Sequence, residues 1–183
     1  MKKISALLLV LAASCAAPAP KSTDTARKSF ESWANAAKSG DAEKTLDGFS
    51  DAKKSEWLYQ LLEENDPVAR RWRGELTGGP RTALDLWWGV SHNRKNGREE
   101  ILSTTVLYHP SFVKMWREYF MQTANTIRDQ FSRLEISQVY GDDSGITVAV
   151  KCGAGAPTEL YGLVYERDGW KIDTYRQPLS VNK

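Results

Sequence analysis

The 183-residue chain is 41% hydrophobic and carries 25 basic against 23 acidic residues, a formal charge of +2. Lys2 and Lys3 belong to an N-terminal leader, and without them the two signs balance at 23 each. A neutral domain has no general electrostatic attraction for nucleic acid, and the sequence pI near 8.5 does not supply one.

The leader comes first in chain order. Lys2 and Lys3 precede an apolar run from Ile4 to Ala13, broken only by Ser5, which is far shorter than the ~20 residues a membrane-spanning helix needs. This three-part pattern is that of a signal peptide. Its end, Ala12-Ala13-Ser14-Cys15, resembles the lipobox of bacterial lipoproteins. The resemblance implies cleavage between Ser14 and Cys15, diacylglycerol on the Cys15 sulfur and an acylated new N-terminus; several chains together anchor stably where one does not. Leucine, the commonest first residue of the box, is replaced by Ala12, and ordinary signal peptidase could cut the same bond. The implied address is the cell envelope, facing the periplasm. Ala16 after Cys15 lacks the aspartate that retains some lipoproteins at the inner membrane, which favours the outer one in a Gram-negative source.

Cys152 is the second of two cysteines. With Cys15 lipidated it has no intramolecular partner, and it reads as a small buried hydrophobe at a strand end rather than a nucleophile. Residues 15–23 form a tether, 24–177 one α+β domain and 178–183 a tail.

Helical spacing of Phe30, Trp33, Ala34 and Ala37 predicts a helix over 25–39, with Asp24 able to cap it and Gly40 to stop it. Asp41 starts a short stripe of Ala42, Leu46 and Phe49, and Trp57, Leu58, Leu61 and Leu62 mark a helix over 51–64. Asp66-Pro67 signals a further helix start. The basic cluster Arg70-Arg71-Trp72-Arg73 reads as a solvated helix face. Gly78-Gly79-Pro80 is a break, residues 82–91 look helical, and 101–108 fits a strand or a helix end. Phe112, Trp116, Tyr119, Phe120, Thr123 and Ile127 predict a long helix over 111–130. The period then changes to two: Leu134 and Ile136, Ile146 to Cys152, Leu160 to Tyr165, and Trp170 with Ile172 predict an antiparallel meander.

This layout, with Asp168-Gly169-Trp170-Lys171-Ile172-Asp173 at its end and Phe30, Trp33 and Ser39-Gly40-Asp41 at its start, resembles the NTF2-like superfamily. The resemblance implies helices packed on a strongly bent sheet, a cone around an apolar pocket. Some members catalyse in that pocket with an aspartate or histidine, and many only bind. Here Trp33, Trp116, Tyr119, Tyr161 and Trp170 are candidates for its wall or for the core.

No catalytic residue can be assigned from the sequence. His92 and His109 lack metal-ligand spacing to each other or to Cys152, Asp85 and Asp129 read as solvent-exposed, and no nucleophile elbow is present. No metal or cofactor is expected. The reading is a lipid-anchored envelope domain that binds a small apolar ligand, a lipid or an envelope protein, with a small lyase or isomerase as the alternative.

Overall fold

The computed structural model describes residues 21–63, 71, 101–167 and 169–176. The leader with Ser14 and Cys15, the features read between Asp66 and Gly97 apart from Arg71, His92 among them, and the C-terminal tail lie outside the described residues. Arg71 is exposed and pairs with Glu118.

Among the described residues five helices precede four strands: α1 (Thr23–Ser39), α2 (Ala42–Asp47), α3 (Asp51–Glu63), α4 (Thr104–Leu107), α5 (Pro110–Phe131), β1 (Leu134–Asp142), β2 (Gly145–Cys152), β3 (Thr158–Glu166) and β4 (Gly169–Arg176). The sheet is an antiparallel meander in the order β1-β2-β3-β4. It is not strongly curled.

The local chemistry explains most boundaries. Ser22, not Asp24, caps α1: its hydroxyl accepts from the Thr25 amide at 3.2 Å while the Thr25 hydroxyl accepts from the Ser22 amide at 3.1 Å. This reciprocal pair satisfies two donors at once, which a cap at Asp24 would not. Gly40 ends the helix with φ +80, where a side chain would be strained. Asp41 caps α2 by accepting from the Lys44 amide at 3.1 Å. The segment 101–108 contains a single helical turn, not a strand, because Val106 and Leu107 donate back to the Ser103 carbonyl. His109 caps α5, its Nδ1 accepting from the Ser111 amide at 3.2 Å, and Pro110 occupies the first turn, where its missing N–H is harmless.

Two cores result. Alternation places Ile146, Val148, Val150, Tyr161, Leu163, Trp170 and Ile172 on one face of the sheet, and α1 covers it with Ala26, Phe30, Trp33 and Ala37. The second core joins Leu46, Leu58, Leu102 and Leu107 to the α5 stripe of Phe112, Met115, Trp116 and Phe120. Phe49 packs on both, edge-on to Trp33 and to Trp116 at 5.6 Å each.

Residues 48–50 also close the open edge of β4. Ile172 donates to the Gly48 carbonyl and accepts from the Ser50 amide, both at 2.8 Å, so part of this edge is not left unpaired. The β3–β4 register shifts where Gly162 pairs with Thr174 but Leu163 with Ile172. Asp173 is the extra residue of that bulge, and the bulge turns it toward Ser50, whose hydroxyl donates to it at 2.6 Å.

Candidate functional site

The five aromatic residues singled out in the sequence do not converge on one pocket. Trp33, Tyr161 and Trp170 lie in the sheet-side core, with Trp33 edge-on to Phe131 at 5.4 Å and Tyr161 5.1 Å from Phe30. Trp116 lies in the helical core and donates its indole N–H to the Ala42 carbonyl at 2.7 Å; Tyr119 stands beside it, 5.2 Å from Trp57. Trp33 packs on Tyr161, Trp116 on Tyr119 and Trp170 on Tyr165. The Trp33 indole N–H is buried without a hydrogen-bond partner.

A polar constellation forms elsewhere, from residues that no motif connected. Lys54 projects from the inner face of α3 with its side chain 1% exposed. Its Nζ donates to the Tyr108 hydroxyl at 2.9 Å and lies 3.6 Å from Asp51 Oδ1. Arg167 reaches the same two groups from the β3–β4 turn, donating to the Tyr108 oxygen at 2.7 Å and to Asp51 Oδ2 at 2.5 Å. Glu166 accepts from the Asp51 amide at 3.0 Å. Arg167 has φ +52, so a left-handed turn is what brings its guanidinium onto α3.

Both lone pairs of the Tyr108 oxygen are thus occupied by cationic donors, while Asp51 balances part of their charge. Tyr108 raises the Arg167 pKa above its usual range, helped by the charges of Asp51 and Glu166. Asp51 Oδ1 is buried with no hydrogen bond of its own. Ser55 ties the segment after residue 100 to α3, donating to the Asp51 carbonyl at 2.7 Å and accepting from the Leu102 amide at 2.9 Å. Chemically, the Lys54–Tyr108 pair could orient a phenol for proton transfer, and the whole set cross-links α3, α4 and the β3–β4 turn.

The sequence held one signal for this site. Lys54 lies four residues before Leu58 and seven before Leu61, on the apolar stripe of α3, where a lysine is out of place unless partnered. Of its partners, Asp51 lies three residues back on the same helix, but Tyr108 stands 54 positions away, and Arg167, which binds the same two groups, stands 113 away; neither of these two carries a pattern of its own.

Two surface clefts border these elements. One, of about 230 Å³, runs between α3 and β4 and is lined by Lys53, Glu56, Tyr59, Ile101, Asp173 and Thr174 among others. The other, of about 320 Å³, lies between α1, α2 and β4, where Ser29, Ser32 and Trp33 meet Lys44, Asp47 and Lys171. Gly48 forms part of its floor, with its Cα so close to Trp33 that a Cβ there would stand 2.3 Å from Trp33 Cδ1.

Cys152 ends β2 as a free thiol and lies 4.0 Å from Glu159, which also accepts from the Tyr161 hydroxyl at 3.2 Å. Burial, then the Glu159 charge, pushes the thiol pKa up. It is therefore a poor nucleophile. Among the described residues no group of three or more His, Cys, Asp or Glu side chains could hold a metal ion, and His109 serves as a helix cap.

The class defined by this architecture is an α+β domain, helices first and a four-stranded antiparallel meander last. No family model, curated protein or solved structure matches the chain.

Proposed function

We propose that the chain is a lipid-anchored lipoprotein of the bacterial cell envelope, with an NTF2-like domain that binds rather than catalyses. The observation that carries this reading is the N-terminal series of Lys2-Lys3, a short apolar run and Ala12-Ala13-Ser14-Cys15. Among the described residues no helix is long and apolar enough to cross a membrane, so attachment through lipid is compatible with the folded part. The NTF2-like assignment rests on the element order and on α1 covering one face of the meander; a cone would require the sheet to curl further around that helix. Binding partners would be a small apolar ligand, a lipid or another envelope protein, taken at the clefts that flank α3 and β4.

Cell fractionation tests the anchor. Wild-type chain should sediment with membranes and be released by detergent, while Cys15→Ser should be soluble. Equal solubility of the two would contradict it. Unchanged thermal stability in envelope extracts, with no copurifying partner, would contradict the binding role.

One observation favours the alternative of a small lyase or isomerase, namely the buried Lys54 bonded to a half-exposed tyrosine. In that reading Tyr108 exchanges a proton with substrate. Deuterium uptake by enolisable ketones in D₂O, abolished by Tyr108→Phe, would support it; no uptake with the wild type would remove it.

A further inference from the structure

The described fold begins close to the proposed anchor. Seven residue steps separate Cys15 from the α1 cap Ser22. Whatever their conformation, they reach at most about 25 Å. A domain of this length is roughly 40 Å across. The end at which α1 starts is therefore kept near the bilayer, and the far end is not.

The sheet fixes what else lies at that end. The Trp170 indole donates to the Thr25 hydroxyl at 3.1 Å, joining the first turn of α1 to the start of β4. Lys21 places its ammonium 4.9 Å from the Tyr165 ring centroid, and Tyr165 stands edge-on to Trp170 at 5.4 Å. Lys171 donates to the Asp47 backbone carbonyl at 2.8 Å. A carbonyl acceptor leaves the full positive charge in place. Among the described residues no carboxylate lies within ion-pairing distance of Lys21 or Lys171, whereas Lys44, Lys53 and Arg167 each have one.

Lys171 also borders the cleft of about 320 Å³ lined by Ser29, Ser32, Lys44 and Asp47; Lys44 is paired with Asp41, so the two hydroxyls and the Lys171 ammonium are the groups there free to grip a phosphodiester. Of the acids at this end of the sheet, Asp24 is exposed in the first turn of α1, Asp47 lines the cleft and Glu166 faces the charge of Arg167, while Asp142 and Asp143 turn between β1 and β2, at the opposite edge of the sheet. Three strand spacings put that turn about 14 Å from β4.

We propose that the α1–β4 edge, through Lys21, Lys171 and the cleft between α1, α2 and β4, docks on anionic phospholipid headgroups of the membrane that holds the anchor. This rests on the lipoprotein reading above. The domain then lies tilted, with β4 toward the bilayer and the acidic β1–β2 turn away from it.

Hydrogen exchange of the lipidated full chain tests the proposal, in vesicles of phosphatidylcholine alone and of phosphatidylcholine with an equal part of phosphatidylglycerol. Intact mass is measured on the same preparation. Amides of residues 21–25 and 169–172 should exchange severalfold more slowly in the anionic vesicles, while 142–145 stay unchanged. Added salt should remove the difference, as should the Lys21→Gln/Lys171→Gln double variant, whose uncharged amides remove the attraction without reversing it. An acylated chain with equal exchange in both vesicles, or with protection at 142–145, would overturn the docking surface and leave the anchor standing. A chain without acyl groups would overturn both. If inorganic phosphate without vesicles reproduced the protection, the site would be one for a soluble anion and the membrane orientation would be wrong.

Discussion

Lys54 and Asp51 should respond to substitution very unequally, although they belong to one cluster. Asp51→Ala leaves the Lys54 ammonium, 1% exposed, with Tyr108 as its remaining acceptor. An uncompensated buried charge of this kind destabilises by about 3–5 kcal/mol. Lys54→Met removes the charge but keeps an unbranched apolar stem of similar volume. Its two partners are not orphaned, since Arg167 still donates to Tyr108 and to Asp51. The expected change is within about 1 kcal/mol of zero, and stabilisation is allowed because a desolvated ion is lost. Urea unfolding separates the two. With slopes of about 1–3 kcal/mol/M, Asp51→Ala should lower the midpoint by a molar or more and Lys54→Met should barely move it. The double variant should recover most of the Asp51→Ala loss. A Lys54→Met variant as damaged as Asp51→Ala would refute the reasoning, and would mean that Arg167 does not hold the cluster together alone.

The remaining expectations concern packing and the thiol. Gly48→Ala should destabilise by about 1–3 kcal/mol through overpacking, since the new Cβ meets the rigid Trp33 ring while the backbone, at φ −75, accepts alanine without strain; thermal unfolding reads it. Trp116→Phe should be worse than Trp33→Phe by roughly 1–2 kcal/mol in the same assay. Only the former removes a buried hydrogen bond, the one to the Ala42 carbonyl, whereas the Trp33 N–H has no partner to lose. Because burial and Glu159 both disfavour the thiolate, Cys152 should react with iodoacetamide near pH 8 more slowly than a free thiol. Glu159→Gln should speed that reaction, and an unchanged rate would show that the carboxylate's charge does not reach the sulfur.

The long periodic elements were legible in the sequence because their burial is regular. The Phe112 to Ile127 stripe gave α5 to within a residue at each end, and alternation gave all four strands and their order. The beginnings of elements were less legible. Ser22 and Asp24 are both good caps, and only the reciprocal bond with Thr25 decides between them. In 101–108 the β-branched residues left strand and helix end both open, and the backbone bonds, from Val106 and Leu107 to Ser103 and from Tyr108 to Thr104, make it a helical turn. The aromatic candidates were visible, but not their division between two cores, because spacing along one helix does not say what lies opposite. Least legible was the Lys54 cluster. It depends on a left-handed Arg167 that meets Asp51 across 116 positions and Tyr108 across 59, contacts no local pattern announces.

The proposed anchor on Cys15 is the centre of the account, since both the proposed address and the proposed membrane-facing edge rest on it. Its most direct test is the intact mass of the mature protein purified from membranes, beside that of Cys15→Ser. A wild-type mass equal to the chain from Cys15 plus diacylglycerol and a further acyl chain, absent in the variant, is the predicted result. An unmodified chain beginning at Cys15 would make this a freely exported domain and contradict the account.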